Sequence, residues 1–152
     1  MNEMYRIRMM LRLITVLCVL VLFRPAAVLA MPEVTGARIG THPDSTRLVL
    51  ELSEPVPYQL FTLDKPYRVV VDFPEVRWRA RHNPMRASTG LVSGFRFGLF
   101  QSDNSRVVLE TNVPTFVSKH FILEAEDGNP TRFVLDLQET NRAAFAPGKM
   151  IQ

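Results

Sequence analysis

Cysteine is almost missing from this chain: the only one, Cys18, lies within the apolar run of the first thirty residues. The remainder therefore has neither a disulfide framework nor a thiolate metal site. Histidine is scarce as well. His42, His82 and His120 stand far apart, with no His-x-x-x-His or His-x-Glu spacing, so the usual signature of a zinc site is absent. There is no Gly-x-Ser-x-Gly elbow and no phosphate-binding glycine loop. Carboxylates are plentiful, but none are marked out as a catalytic pair. The residues predict a chain that is not an enzyme and carries no cofactor. Beyond residue 30, no stretch shows a capped apolar period of 3.6 residues, which argues against a helical domain.

What is present begins with a leader. Arg6 and Arg8 make a basic opening, and Leu13 to Phe23 follow as an apolar run broken only by Thr15. Pro25-Ala26-Ala27-Val28-Leu29-Ala30 then closes the segment, with Val28 and Ala30 suited to the −3 and −1 positions of a signal peptidase site. A bilayer span needs roughly 20 apolar residues, whereas Arg12 and Arg24 bracket a shorter run. Residues 1–30 are read as a cleavable signal peptide; an uncleaved anchor is the alternative. The leader also holds the basic excess. Without Arg6, Arg8, Arg12, Arg24 and Glu3, the 18 basic and 15 acidic residues become 14 of each. A neutral exported domain is a poor nucleic-acid binder. Its 122 residues suffice to bury roughly two-thirds of the unfolded surface without staples.

The strongest internal signal is a duplication. Val34-Thr35-Gly36-Ala37-Arg38-Ile39-Gly40 matches Val92-Ser93-Gly94-Phe95-Arg96-Phe97-Gly98, 58 residues on. Thr46-Arg47-Leu48-Val49-Leu50-Glu51 matches Ser105-Arg106-Val107-Val108-Leu109-Glu110 at 59, and Pro66 to Phe73 matches Pro130 to Leu137. Two similar halves follow, not a many-unit solenoid. Each half reads as short strands rich in Val, Ile, Leu, Phe and Thr between turn residues. Strands are predicted near 34–41, 46–53, 57–64 and 67–73, and near 92–100, 105–111, 116–124 and 132–138. The fold class is all-β, a β-sandwich with inner faces together, over residues 31–140. Residues 141–152, rich in Ala, Pro and Gly, read as a linker or tail.

Because side chains alternate along a strand, Leu48, Leu50 and Leu52 share one face, and Val69, Val71 and Phe73 another. Arg47, Glu51, Arg68, Asp72, Arg106, Glu110, Arg132 and Asp136 then lie on exposed outer strips, with Val49, Val70, Val108 and Val134 between them. Such strips serve either as a ligand face or as an inherited, soluble surface whose ion pairs contribute only about 0–1 kcal/mol each. The connector Arg77-Trp78-Arg79-Ala80-Arg81-His82 interleaves the only tryptophan with cations. It suits either a sugar-stacking site or a solvated link whose tryptophan covers a core edge.

Leu63-Asp64-Lys65-Pro66-Tyr67-Arg68-Val69-Val70-Val71-Asp72 resembles the hallmark of the AMIN domain. So does Gly94 to Arg96 followed by Asn104-Ser105-Arg106-Val107-Val108-Leu109-Glu110. The resemblance covers about Pro32 to Gln138. It implies a β-sandwich of two symmetry-related sheets, used as the N-terminal targeting module of periplasmic N-acetylmuramoyl-L-alanine amidases and in type IV pilus secretins. It also implies peptidoglycan binding, a role at the division septum or in the envelope, and a periplasmic location. The expected ligand residues are the eight charged positions of the strips. The expected partners are peptidoglycan and an amidase catalytic domain or envelope assembly proteins, with no nucleic acid, and a membrane only before signal cleavage. An amidase of this family carries a zinc-dependent catalytic domain after the linker, while this sequence stops at Gln152. A stand-alone module and the front part of an amidase both remain open.

Overall fold

The computed structural model describes residues 3–4, 6–9, 30–80 and 88–151. The signal-peptide segment falls almost wholly outside the described residues; those described there, 3–4 and 6–9, are helical. No helix among the described residues is long and apolar enough to cross a membrane. Arg81 and His82 of the connector also lie outside them.

Residues 31–152 form a compact unit. Its strands among the described residues are β1 Glu33–His42, β2 Ser45–Leu52, β3 Gln59–Leu63, β4 Arg68–Pro74, β5 Arg77–Trp78, β6 Val92–Gln101, β7 Asn104–Thr111, β8 Thr115–Leu123, β9 Thr131–Glu139 and β10 Met150–Ile151. Two-residue turns, Pro43-Asp44 and Ser102-Asp103, close the β1–β2 and β6–β7 hairpins. Asp103 adopts the left-handed conformation at φ 62°, which a short aspartate side chain tolerates. The one-residue difference between the 58 and 59 offsets is absorbed in β6 by the register shift between Leu99 and Gln101.

The sheets run β5-β1-β2-β9-β8 and β10-β3-β4-β7-β6. The halves do not each build one sheet. The first half gives the β1–β2 hairpin to one sheet and β3–β4 to the other, and the second half gives β8–β9 and β6–β7 in the reverse sense. Exchanging the halves therefore exchanges the sheets. The central pairings, β2 with β9 and β4 with β7, both join one half to the other.

The core lies between the sheets and is filled by the positions that alternation assigns to it. Leu48, Leu50, Leu52, Val69, Val71 and Phe73 pack there with Val107, Leu109, Phe133, Leu135 and Leu137. Each such large side chain contributes about 1.5–3 kcal/mol through burial. Tyr58, before β3, rests its ring on Phe133 at 4.7 Å and shares a 3.0 Å hydrogen bond with His120 of β8. One rim is thereby tied across the two sheets. At another edge Trp78 stacks on Phe97 at 3.6 Å, so the connector's tryptophan covers the core.

Three outer-face residues depart from the expected exposure. Val70, Val134 and Asp136 are only 1%, 4% and 3% exposed, although they alternate with core residues. All three sit on central strands flanked on both sides. The segment 141–151 runs back along β3: Gly148 N–H donates to the Thr62 carbonyl, Thr62 Oγ1 donates to the Ala146 carbonyl, and Met150–Ile151 pairs with Phe61 and Leu60.

Candidate functional site

Register decides which charged residues meet. On the outer face of the first sheet the cross-strand rows are Gly36–Glu51–Arg132–Leu123, Arg38–Val49–Val134–Phe121 and Gly40–Arg47–Asp136–Lys119. On the second sheet they are Gly94–Glu110–Arg68–Leu63, Arg96–Val108–Val70–Phe61 and Gly98–Arg106–Asp72–Gln59. The two sets correspond position by position. Each sheet thus assembles its strip from both halves: Arg47, Glu51, Arg132 and Asp136 on one face, and Arg68, Asp72, Arg106 and Glu110 on the other.

Most of this charge is spent within the molecule. Arg47 donates from Nε and Nη2 to the two oxygens of Asp136 at 2.6 and 2.7 Å, and Arg106 does the same to Asp72 at the same distances. Parallel forks of this kind are the stronger ion-pair geometry. The hydrogen bonds from Arg47, outweighing the opposing effect of burial and aided by the charges of Arg47, Lys119 and His42, hold the Asp136 carboxyl below the usual aspartate range. The bonds to Asp136 raise the Arg47 guanidinium pKa, and those to Asp72 raise that of Arg106, each against the lowering effect of burial. Arg106 also lies over the Phe100 ring at 3.5 Å. Arg47 and Arg106, expected as ligand residues on exposed strips, each have their fork filled by an aspartate of the same sheet.

The two glycine motifs have a physical reason. A β-bulge precedes each, at Val34/Gly36 and Val92/Gly94. A Cβ on Gly36 would stand 2.5 Å from Glu51 Oε2, and one on Gly94 2.9 Å from Glu110 Oε2. The bare glycine lets each glutamate lie across it and reach the arginine two residues on. Arg38 pairs with Glu51 at 3.1 Å, and Arg96 with Glu110 at 2.6 Å. Sequence reasoning named the glutamates but missed Arg38 and Arg96 as partners. Alternation from the glycine places them on the correct face, but only register shows whom they meet.

Leaning away, the glutamates leave the arginine of the next strand, and here the two faces part. Arg68 turns back onto its own turn, donating to the carbonyls of Pro66 and Asp64 at 3.2 and 3.4 Å. The Arg132 side chain has no hydrogen-bond or ion-pair partner among the described residues, and its Nε is buried. A buried donor left without an acceptor costs about 1–3 kcal/mol. Among the described residues there is no group of three or more metal-ligating side chains. Guanidinium and carboxylate groups in this arrangement can hydrogen-bond polar or anionic groups.

Comparison with known proteins agrees with this architecture. Over 110 residues the chain is 32% identical to the N-acetylmuramoyl-L-alanine amidase AmiC of Neisseria meningitidis serogroup B, covering 70% of this chain and 26% of that protein. It is 28% identical over 116 residues to AmiC of Escherichia coli O6:H1, covering 74% of this chain and 28% of that one. The chain thus spans about a quarter of the length of the curated relatives it matches. The family model for the AMIN domain matches residues 36–135, a span running from the first glycine motif into β9, and the chain belongs to the AMIN domain family.

Proposed function

We propose that this chain is a non-catalytic module that binds peptidoglycan and targets its parent protein to the cell envelope or the division septum, acting in the periplasm after signal-peptide cleavage. The observation that carries the reading is family membership, with the match to two proteins named as N-acetylmuramoyl-L-alanine amidases. The paired outer faces support it. Two related surfaces on one rigid sandwich can engage a polymer at two points, raising avidity by up to roughly 10²–10⁴ if both engage at once.

A second reading makes the same domain the recognition part of an amidase polypeptide. It is favoured by the naming of both relatives as amidases. On either reading the domain binds and does not cleave. Co-sedimentation of the purified protein with isolated sacculi tests this: it is expected to pellet with the wall and to release no dye from labelled sacculi. Failure to pellet sinks the targeting role, and chelator-sensitive dye release would make the chain itself a hydrolase.

A further inference from the structure

We propose that the outer face of the β1–β2–β9–β8 sheet holds a carboxylate-binding site centred on Arg132, and that of the two related faces this one takes free carboxylates of the wall peptides. The inference rests on the peptidoglycan-binding reading above and adds the face and the chemistry.

The argument starts from the broken symmetry between Arg132 and Arg68. Both stand opposite a glutamate that leans away over a glycine, Glu51 over Gly36 and Glu110 over Gly94. Both are thereby released from the carboxylate nearest in register. Arg68 is then capped by the turn that precedes it, because only five positions separate it from its β3 partner Leu63. Nine positions separate Arg132 from its β8 partner Leu123, and this longer loop sends no hydrogen bond back to the guanidinium. Its acids, Glu124, Glu126 and Asp127, are exposed and form no ion pair with Arg132 among the described residues. A forked donor is left half-buried, with Nε shielded from water and unsatisfied.

The rest of the face favours an anion. Its rows carry four cations, Arg38, Arg47, Lys119 and Arg132, against two carboxylates, Glu51 and Asp136; the other face has three against two. Lys119 is exposed and unpaired among the described residues. On the other face, at the place related to Arg47, the rings of Phe100 and Phe61 lie 3.5 and 5.5 Å from the Arg106 guanidinium. Phe100 is the extra residue of the bulge between Leu99 and Gln101, and β1 has no counterpart to it. A planar guanidinium recognises a carboxylate through two parallel hydrogen bonds, which fits the free carboxylates of peptides carried on a sugar polymer.

The test compares native sacculi with sacculi whose carboxylates have been converted to amides by carbodiimide and ammonia. Wild type is expected to bind the amidated wall about 10- to 100-fold more weakly. Arg132→Ala should lose a similar factor on native sacculi and be indifferent to amidation, whereas Arg68→Ala should keep the wild-type preference for native over amidated wall. Gly36→Ala, which removes no donor but displaces Glu51 toward Arg132, should weaken binding as well. Native binding by Arg132→Ala, or wild-type binding that ignores amidation, overturns the site and leaves the targeting role standing. The amidation arm uses the wild-type protein, so it does not depend on a variant folding. A wild type that pellets with neither wall overturns both.

Discussion

Asp136 shows how far one residue can depart from the role its sequence position suggests. Its side chain is 5% exposed and that of Arg47 36%, so the pair lies between a surface salt bridge, worth about 0–1 kcal/mol, and a buried one, whose breaking costs about 3–5 kcal/mol. Arg47→Ala leaves a covered carboxylate without its fork. We expect it to lose about 1–3 kcal/mol, lowering Tm by roughly 5–15 °C, far more than a freely exposed arginine would; calorimetry measures it. The same pair sets a pH dependence. Its depressed folded pKa means that Asp136 contributes stability in full above the ordinary aspartate value of about 3.9, and the contribution is lost as pH falls through the folded value. Urea midpoints between pH 3 and 7 should show an acid limb that flattens in Asp136→Asn. An unchanged limb would assign the acid loss to other carboxylates.

At the scale of elements, the segment after β9 belongs to the sandwich and is no free tail. Phe145 meets Tyr67 edge-on at 5.0 Å, and β10 occupies the β3 edge. An unpaired edge is a template for association. Ending the chain at Thr140 is expected to cost about 2 kcal/mol, mainly through the uncovered aromatic pair, and to favour dimers through the bared β3. Thermal melts and light scattering would show both. Equal Tm and a monodisperse monomer would return the segment to the status of a linker. Gly90 sits in the turn before β6 at φ +56°, and a Cβ there would stand 2.2 Å from Thr46 Oγ1, the atom that accepts from Leu91 N–H at 3.0 Å. Any side chain at this position strains the backbone and pushes on β2 at once.

For the whole molecule, the interleaved topology forbids the simplest reading of a duplication, in which each half is a small domain. Each half alone would hold two hairpins with their central edges bare, because β2 needs β9 and β4 needs β7. Residues 31–80 or 88–151 expressed alone should be unfolded by circular dichroism, and mixing them should recover sheet signal. A folded single half would show that the central pairings are dispensable. Export is tested at this scale too. If residues 1–30 are a cleaved leader, the protein recovered from the envelope begins at Met31, as mass spectrometry would show; a Met1 start in the membrane fraction would favour an anchor.

The sequence by itself determined the strands, their inward faces and the existence of two related halves. These are local properties: alternation fixes a face, and Pro, Gly and Asp fix the turns. The β2 pattern Thr46 to Leu52 reads the same in one dimension as in three. The resemblance carried by Leu63 to Asp72 is local too, since that run spans one turn and the start of one core strand. Only the tertiary structure decided who pairs with whom. That Arg47 meets Asp136, 89 residues away, follows from strand order and register, which no local pattern contains. The difference between Arg68 and Arg132 was printed in the sequence as an offset that grows to 64 residues. Its meaning appeared only when the turn that caps Arg68 proved to have no counterpart beside Arg132, because hydrogen bonding depends on where a loop's carbonyls point.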